Sequence, residues 1–150
     1  NNERKRRMAK KIIAACGGDI NGKTLGVLGV TFKPNTDDMR DAPSLDIIPL
    51  LQEAGAQIRA YDPEGMEEAR KYLIDIEWVK DAYSVMPNAD ALLVLTEWNE
   101  FRVLNFDRIK SLLKAPLIID LRNIYAPADL ATHGFSYHSV GRSTMAPDTK

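Results

Sequence analysis

The run TLGVLGVTFKPNTDDMRDAPS, residues 24–44, decides the fold. Its first part, 24–30, is apolar without alternation, the pattern of a short strand covered on both faces. Ser44 stands at a natural helix N-cap, and Leu45, Ile48 and Leu51 then recur at helical spacing until Gly55 stops them. Working outward, 4–15 reads as a helix with Met8, Ile12 and Cys16 on one face, ended by Gly17 and Gly18. Strand patterns are expected at 57–61, 77–79, 91–96 and 117–121, with a weak last strand at 136–140. Between them, 64–73 reads as a charged amphipathic helix, 80–86 as a short helix, 101–113 as a helix and 128–132 as a turn.

Strands alternating with helices of this length imply right-handed crossovers and a sheet covered on both faces. The expected fold is α/β, a Rossmann-like doubly wound, mainly parallel sheet of five to six strands, preceded by a helix. In such sheets ligands bind beyond the carboxyl ends of the strands, where the strand order reverses. That rule singles out 31–43, 62–64, 96–100 and 122–125.

With 45% hydrophobic and 27% charged residues the chain has the balance of one globular domain, and a net charge of −1 gives no global reason for a nucleic-acid or membrane partner. The basic cluster Arg4 to Arg7 with Lys10 and Lys11 reads as the solvated face of a helix, with a polyanion contact as the alternative. A single cysteine excludes an internal disulfide. No apolar run approaches the roughly 20 residues of a membrane span. With no charged-then-apolar leader either, a cytoplasmic location is expected. Lacking an initiator Met and beginning inside a helical pattern, the chain is expected to be a fragment.

The loop 29–44 is long for a strand-to-helix connection. Lys33 and Arg40 can meet a phosphate there, beside the flat apolar surface of Phe32, or form exposed salt bridges with Asp37, Asp38 and Asp41. Arg122, followed by Asn123, can reach a phosphate or a sugar hydroxyl, or pair with Asp120 or Glu97. Gly26 and Gly29 form half of a dinucleotide fingerprint whose acidic residue would be Asp62. Cys16 reads as a core residue and Trp98 as core or cleft border. His133 and His138 lack partners at metal spacing, so no metal is expected.

The quoted run strongly resembles the opening of the C-terminal domain in the UDP-glucose/GDP-mannose dehydrogenase family. AYDP at 60–63, ADALLVLTEW at 89–98 and IDLRNIY at 119–125 follow in the family's order. The wording TDDMRDAPS is similar to the UDP-glucose branch more than to the GDP-mannose or N-acetylhexosamine branches. The resemblance implies residues 1–20 as the end of a central dimerisation helix and 21–141 as a UDP-sugar-binding domain, and 142–150 reads from the sequence as a disordered tail. It implies an NAD-dependent enzyme whose NAD is bound mainly by an N-terminal domain outside this chain, with UDP-glucose as substrate and a homodimer as assembly. Carried over by position, Phe32, Lys33, Arg122 and Asn123 are substrate-binding and Arg40 reaches toward NAD. Cys16 does not match the family's nucleophile, so this stretch alone is expected to be inactive. The alternatives are the same family acting on another nucleotide sugar (GDP-mannose or a UDP-N-acetylhexosamine), a free-standing NAD- or nucleotide-binding module, and a pure assembly domain.

Overall fold

The computed structural model describes residues 2–140 and 146–147; the tail expected at 142–150 lies, apart from 146–147, outside the described residues. Six strands form one sheet: β1 (Thr24–Leu28), β2 (Gln57–Tyr61), β3 (Ile76–Trp78), β4 (Ala91–Val94), β5 (Leu117–Asp120) and β6 (Ser136–Ser139). Their order is β3-β2-β1-β4-β5-β6 and every pairing is parallel. This is the doubly wound order with its reversal between β1 and β4. The expected fold stands, at the upper strand number.

The central strands are apolar throughout because both of their faces are covered. All four residues of β4 are buried, as are the last four of β1. One core layer holds Leu25, Val27, Ile47, Ile48, Leu51 and Leu93, together with Ala9 and Ile12 of the leading helix α1 (Asn2–Ala15) and Cys16 just after it. The other gathers Leu28, Leu92, Val94, Phe101, Ile118, Phe135 and Tyr137. Helix α1 packs against α2 (Ser44–Glu53), and Lys5 pairs with Asp46 at 2.8 Å.

Local readings fail where packing overrides pattern. The helix expected at 64–73 shrinks to α3 (Met66–Ala69), because only Ala69 and Leu73 of the segment's outer half are buried and a short helix needs a packed face. The helix expected at 101–113 divides into α4 (Asn99–Arg102) and α5 (Phe106–Leu112). Asn105 interrupts it: its side chain accepts the amide of Arg108 as an N-cap, and its own N–H donates to the Tyr83 hydroxyl. The short helix at 80–86 is a single 3₁₀ turn, Tyr83–Val85, and the turn at 128–132 is a helix, α6 (Pro127–Thr132).

Ser44 is not the N-cap of α2. Pro43 occupies that position in helical conformation, and the buried Ser44 hydroxyl instead donates to the Val30 carbonyl at 2.6 Å. The hydroxyl thereby pins the start of α2 to the segment that leaves β1.

Candidate functional site

The loops leaving β1, β2, β4 and β5 meet at the carboxyl edge of the sheet, and two buried aspartates organise them. Asp62 directly follows β2 and is fully buried. Its Oδ2 accepts the amides of Val30 at 2.8 Å and Thr31 at 3.2 Å and the indole N–H of Trp98 at 3.2 Å. Its Oδ1 accepts the amides of Glu64 and Gly65 at 3.0 and 2.8 Å. The Thr31 hydroxyl lies 3.1 Å from both Asp62 Oδ2 and the Lys33 carbonyl, two acceptors for one proton. Thr96 donates to the Thr31 carbonyl at 2.7 Å. A buried carboxylate is tolerated only when its lone pairs are satisfied, and here the loop backbone satisfies them.

Asp120, the last residue of β5, does the same for the next loop. Its Oδ1 accepts the amide of Arg122 at 2.9 Å, and its Oδ2 accepts the amides of Ile124 and Tyr125 and the hydroxyl of Tyr137. Asn123 turns the chain there in the left-handed conformation, φ 57°, which asparagine adopts more readily than most residues.

The long loop after β1 is closed on itself by the Phe32 amide donating to the Asp38 carbonyl at 2.9 Å. This leaves the Phe32 ring 44% exposed and Lys33 exposed, with no ion pair to Lys33 among the described residues. Arg40 is bound to Asp38 through Nε and Nη2, both at 3.0 Å, and its side chain is 87% exposed. The Arg40 hydrogen bond holds the Asp38 carboxyl below its usual range and pushes the guanidinium up in turn.

Arg122 reaches across from β5 to the loop after β4, where its Nη2 donates to Glu97 Oε2 at 2.7 Å. Burial raises the Glu97 carboxyl, but the Arg122 hydrogen bond, the Glu97 amide and the charges of Arg122 and Arg102 outweigh it and leave the group below its ordinary 4.5. Arg122 also lines a cleft of about 250 Å³ between α1 and the sheet edge, shared with Arg4, Lys5, Met8, Leu95 and Leu121. The Asn123 amide donates to the Val140 carbonyl at 3.1 Å.

The five residues singled out in the sequence therefore share one edge but form two groups. Phe32, Lys33 and Arg40 leave β1, Arg122 and Asn123 leave β5, and β4 runs between them. The larger groove, about 800 Å³, runs along Gln57 to Arg59 between Pro49 and Ile74 and holds none of the five.

Two readings are corrected by this geometry. Asp62, matched above to the ribose-binding acid of the dinucleotide fingerprint, has both oxygens occupied by loop donors and no exposed surface to offer. Gly26 and Gly29 have packing reasons of their own: a Cβ on Gly26 would stand 2.5 Å from the Val85 carbonyl oxygen, and Gly29 has φ 86° with Thr96 against it. Cys16 is buried, with its thiol pushed up to about 11 mainly by burial, which is a core residue's environment. Sequence reasoning missed Asp62, Asp120, Thr31 and Thr96 as the residues that shape the loops. Their signal was a polar residue at the end of an apolar strand, which by itself does not distinguish a buried anchor from a ligand contact.

Among the described residues no group of His, Cys, Asp and Glu side chains is placed to hold a metal ion, and no helix is long and apolar enough to cross a membrane.

Fold and edge together define a doubly wound domain of the nucleotide-binding type, with its loops braced at the topological switch point. Comparison with known proteins gives the family. The family model of the UDP-glucose/GDP-mannose dehydrogenase family, UDP binding domain, matches residues 26–127, and the chain belongs to that family. It is 56% identical to the UDP-glucose 6-dehydrogenase of Rhizobium meliloti (strain 1021) over 142 residues, covering 95% of this chain and 32% of that protein. It is 45% identical to the UDP-glucose 6-dehydrogenase TuaD of Bacillus subtilis (strain 168), over 85% of this chain and 28% of that protein. Among solved structures, an NDP-N-acetyl-D-galactosaminuronic acid dehydrogenase from Methanosarcina mazei Go1 superposes with a TM-score of 0.77 at 27% identity, covering 94% of this chain and 29% of that one. A UDP-glucose dehydrogenase from Pyrobaculum islandicum superposes with a TM-score of 0.67 at 30% identity, over 79% of this chain and 26% of that one. The chain thus spans about a third of the length of these relatives.

Proposed function

We propose that this chain is the nucleotide-sugar-binding part of an NAD-dependent UDP-glucose 6-dehydrogenase, and that it holds UDP-glucose at the carboxyl edge of its sheet. The observation that carries the reading is the loop after β1, whose backbone is braced by Asp62 while Phe32 and Lys33 stay exposed. An aromatic face beside an unpaired cation suits a nucleoside diphosphate, the ring meeting the base or ribose and the ammonium a phosphate. Arg122, with Asn123 beside it, supplies the second group of contacts. The 56% identity to the Rhizobium enzyme favours UDP-glucose over other nucleotide sugars.

NAD is implied by the family, and the switch point of this chain does not fit it. The third fingerprint glycine is absent and Asp62 is committed to the loops. NAD is therefore assigned mainly to the part of the whole protein outside this chain, with the exposed Arg40 as the residue that reaches toward it. The catalytic thiol is assigned outside the chain as well, since Cys16 is buried. In the same reading α1 continues a central helix that builds a homodimer, and the whole protein works in the cytoplasm.

The test is a calorimetric titration of the chain with UDP, UDP-glucose, GDP-mannose and NAD⁺. Binding of the uridine ligands in preference to the other two is expected. Saturable NAD⁺ binding with no response to UDP would overturn the reading and leave a free-standing dinucleotide module.

A further inference from the structure

We propose that Glu97 is a positioning residue for Arg122, presetting its guanidinium to receive a phosphate group of the nucleotide ligand; this rests on the reading above that Arg122 binds the UDP-sugar. The strand register brings the two together. Val94 of β4 pairs with Asp120 of β5, so the residues that leave the two strands emerge side by side. The Leu121 amide still donates to the Val94 carbonyl, which carries the pairing one step past the strands.

Asp120 does not hold the Arg122 side chain. Its oxygens are engaged elsewhere, one by the Arg122 amide and the other by Ile124, Tyr125 and Tyr137, while the guanidinium goes to Glu97. The backbone of Arg122 is thus fixed by one carboxylate and its guanidinium by another. Arg122 donates to Glu97 through Nη2 alone, and among the described residues no partner takes its Nε or Nη1. Nη2 keeps a second hydrogen, which together with Nε–H or Nη1–H still forms one two-donor edge, and Arg122 lines the basic cleft with Arg4 and Lys5. An arginine held at one corner with an edge free is prepared for a bidentate oxyanion and loses little further rotamer freedom on binding.

The Glu97 side chain is also only partly engaged by its neighbours. Its Oε1 is buried, and among the described residues no other residue donates to it. A bridge kept only for stability would be better served by a bidentate pair with both oxygens satisfied. The observed geometry uses one oxygen to orient the arginine.

The experiment is a double-mutant cycle read by calorimetry, with UDP and uridine as probes on the wild-type chain, Glu97→Gln, Arg122→Ala and the double variant. Glu97→Asp, charged but too short for the same contact, serves as a second variant. Glu97→Gln is expected to weaken UDP about tenfold, leave uridine unchanged and have no effect once Arg122 is gone, a coupling of the size seen for contacting pairs. If Arg122→Ala weakens UDP but Glu97→Gln does not, weakens uridine equally, or keeps its effect in the Arg122→Ala background, the positioning role is overturned and the Arg122 reading survives. If Arg122→Ala leaves UDP affinity unchanged, or the wild-type chain ignores UDP, the reading of the site fails and the positioning role falls with it.

Discussion

The indole N–H of Trp98 shares one carboxylate oxygen of Asp62 with the amides of Val30 and Thr31. The chain segments leaving β1 and β4 are therefore fastened to the residue that directly follows β2. Asp62→Asn would turn an acceptor into a donor facing other donors. The loss is expected to be roughly 3 kcal/mol, because hydrogen bonds to a buried charge disappear and the donors are left unpaired. Denaturant melts of the two chains measure it. A loss under about 0.5 kcal/mol, the range of an ordinary surface substitution, would mean that the network is not the brace described here.

Lys33→Ala tests the ligand side of the same loop. The ammonium is exposed and makes no ion pair among the described residues, so the fold should keep its melting temperature. UDP binding should weaken by about 1.5–3 kcal/mol, the scale of a charge-assisted hydrogen bond. Unchanged affinity in calorimetry would remove Lys33 from the site.

The Glu97–Arg122 pair gives a pH signature. The folded Glu97 carboxyl titrates below 4.5, so the folded state binds its proton less readily than the unfolded state does. Its contribution is fully present above 4.5 and is lost as the pH falls through the lowered folded value. Wild type should exceed Glu97→Gln by about 0.5–1 kcal/mol near neutrality, the scale of a partly exposed pair, with the gap closing as the pH is taken below 4.5. Urea melts across that range check it, and a gap that widens in acid would contradict the assignment.

Cys16 should resist thiol reagents. With its pKa raised to about 11, the thiolate is scarce at pH 8, and the side chain is 5% exposed. Labelling of the native chain at pH 8 should be far slower than in denaturant. Equal rates would mean that α1 does not stay seated on the sheet.

The sheet was legible because its central strands are continuous apolar runs, and β2 begins and ends at the residues that the pattern marks, Gln57 and Tyr61. The helices were less so. Residues 64–73 carry a helical charge pattern but little buried surface, and 101–113 hide a cap at Asn105 that reads equally well as a surface residue. The edge on which Phe32, Lys33, Arg40, Arg122 and Asn123 lie was legible from the strand order. Its framework was not, since Asp62 and Asp120 differ from exposed aspartates only in what the fold brings to them. Arg122 with Glu97 lay among the pairings open from the residues alone, and the register of β4 with β5 decides it.

Asp62 and Asp120 grip their loops by the main chain, and main-chain amides are the same whatever residue carries them. Substitutions at the outward-facing positions between these anchors can accumulate without unfolding the edge. A domain built in this way can change what its edge presents while its scaffold stays constant. The superposition on the Methanosarcina mazei Go1 structure, with a TM-score of 0.77 at only 27% identity, is the pattern such a division of labour leaves behind.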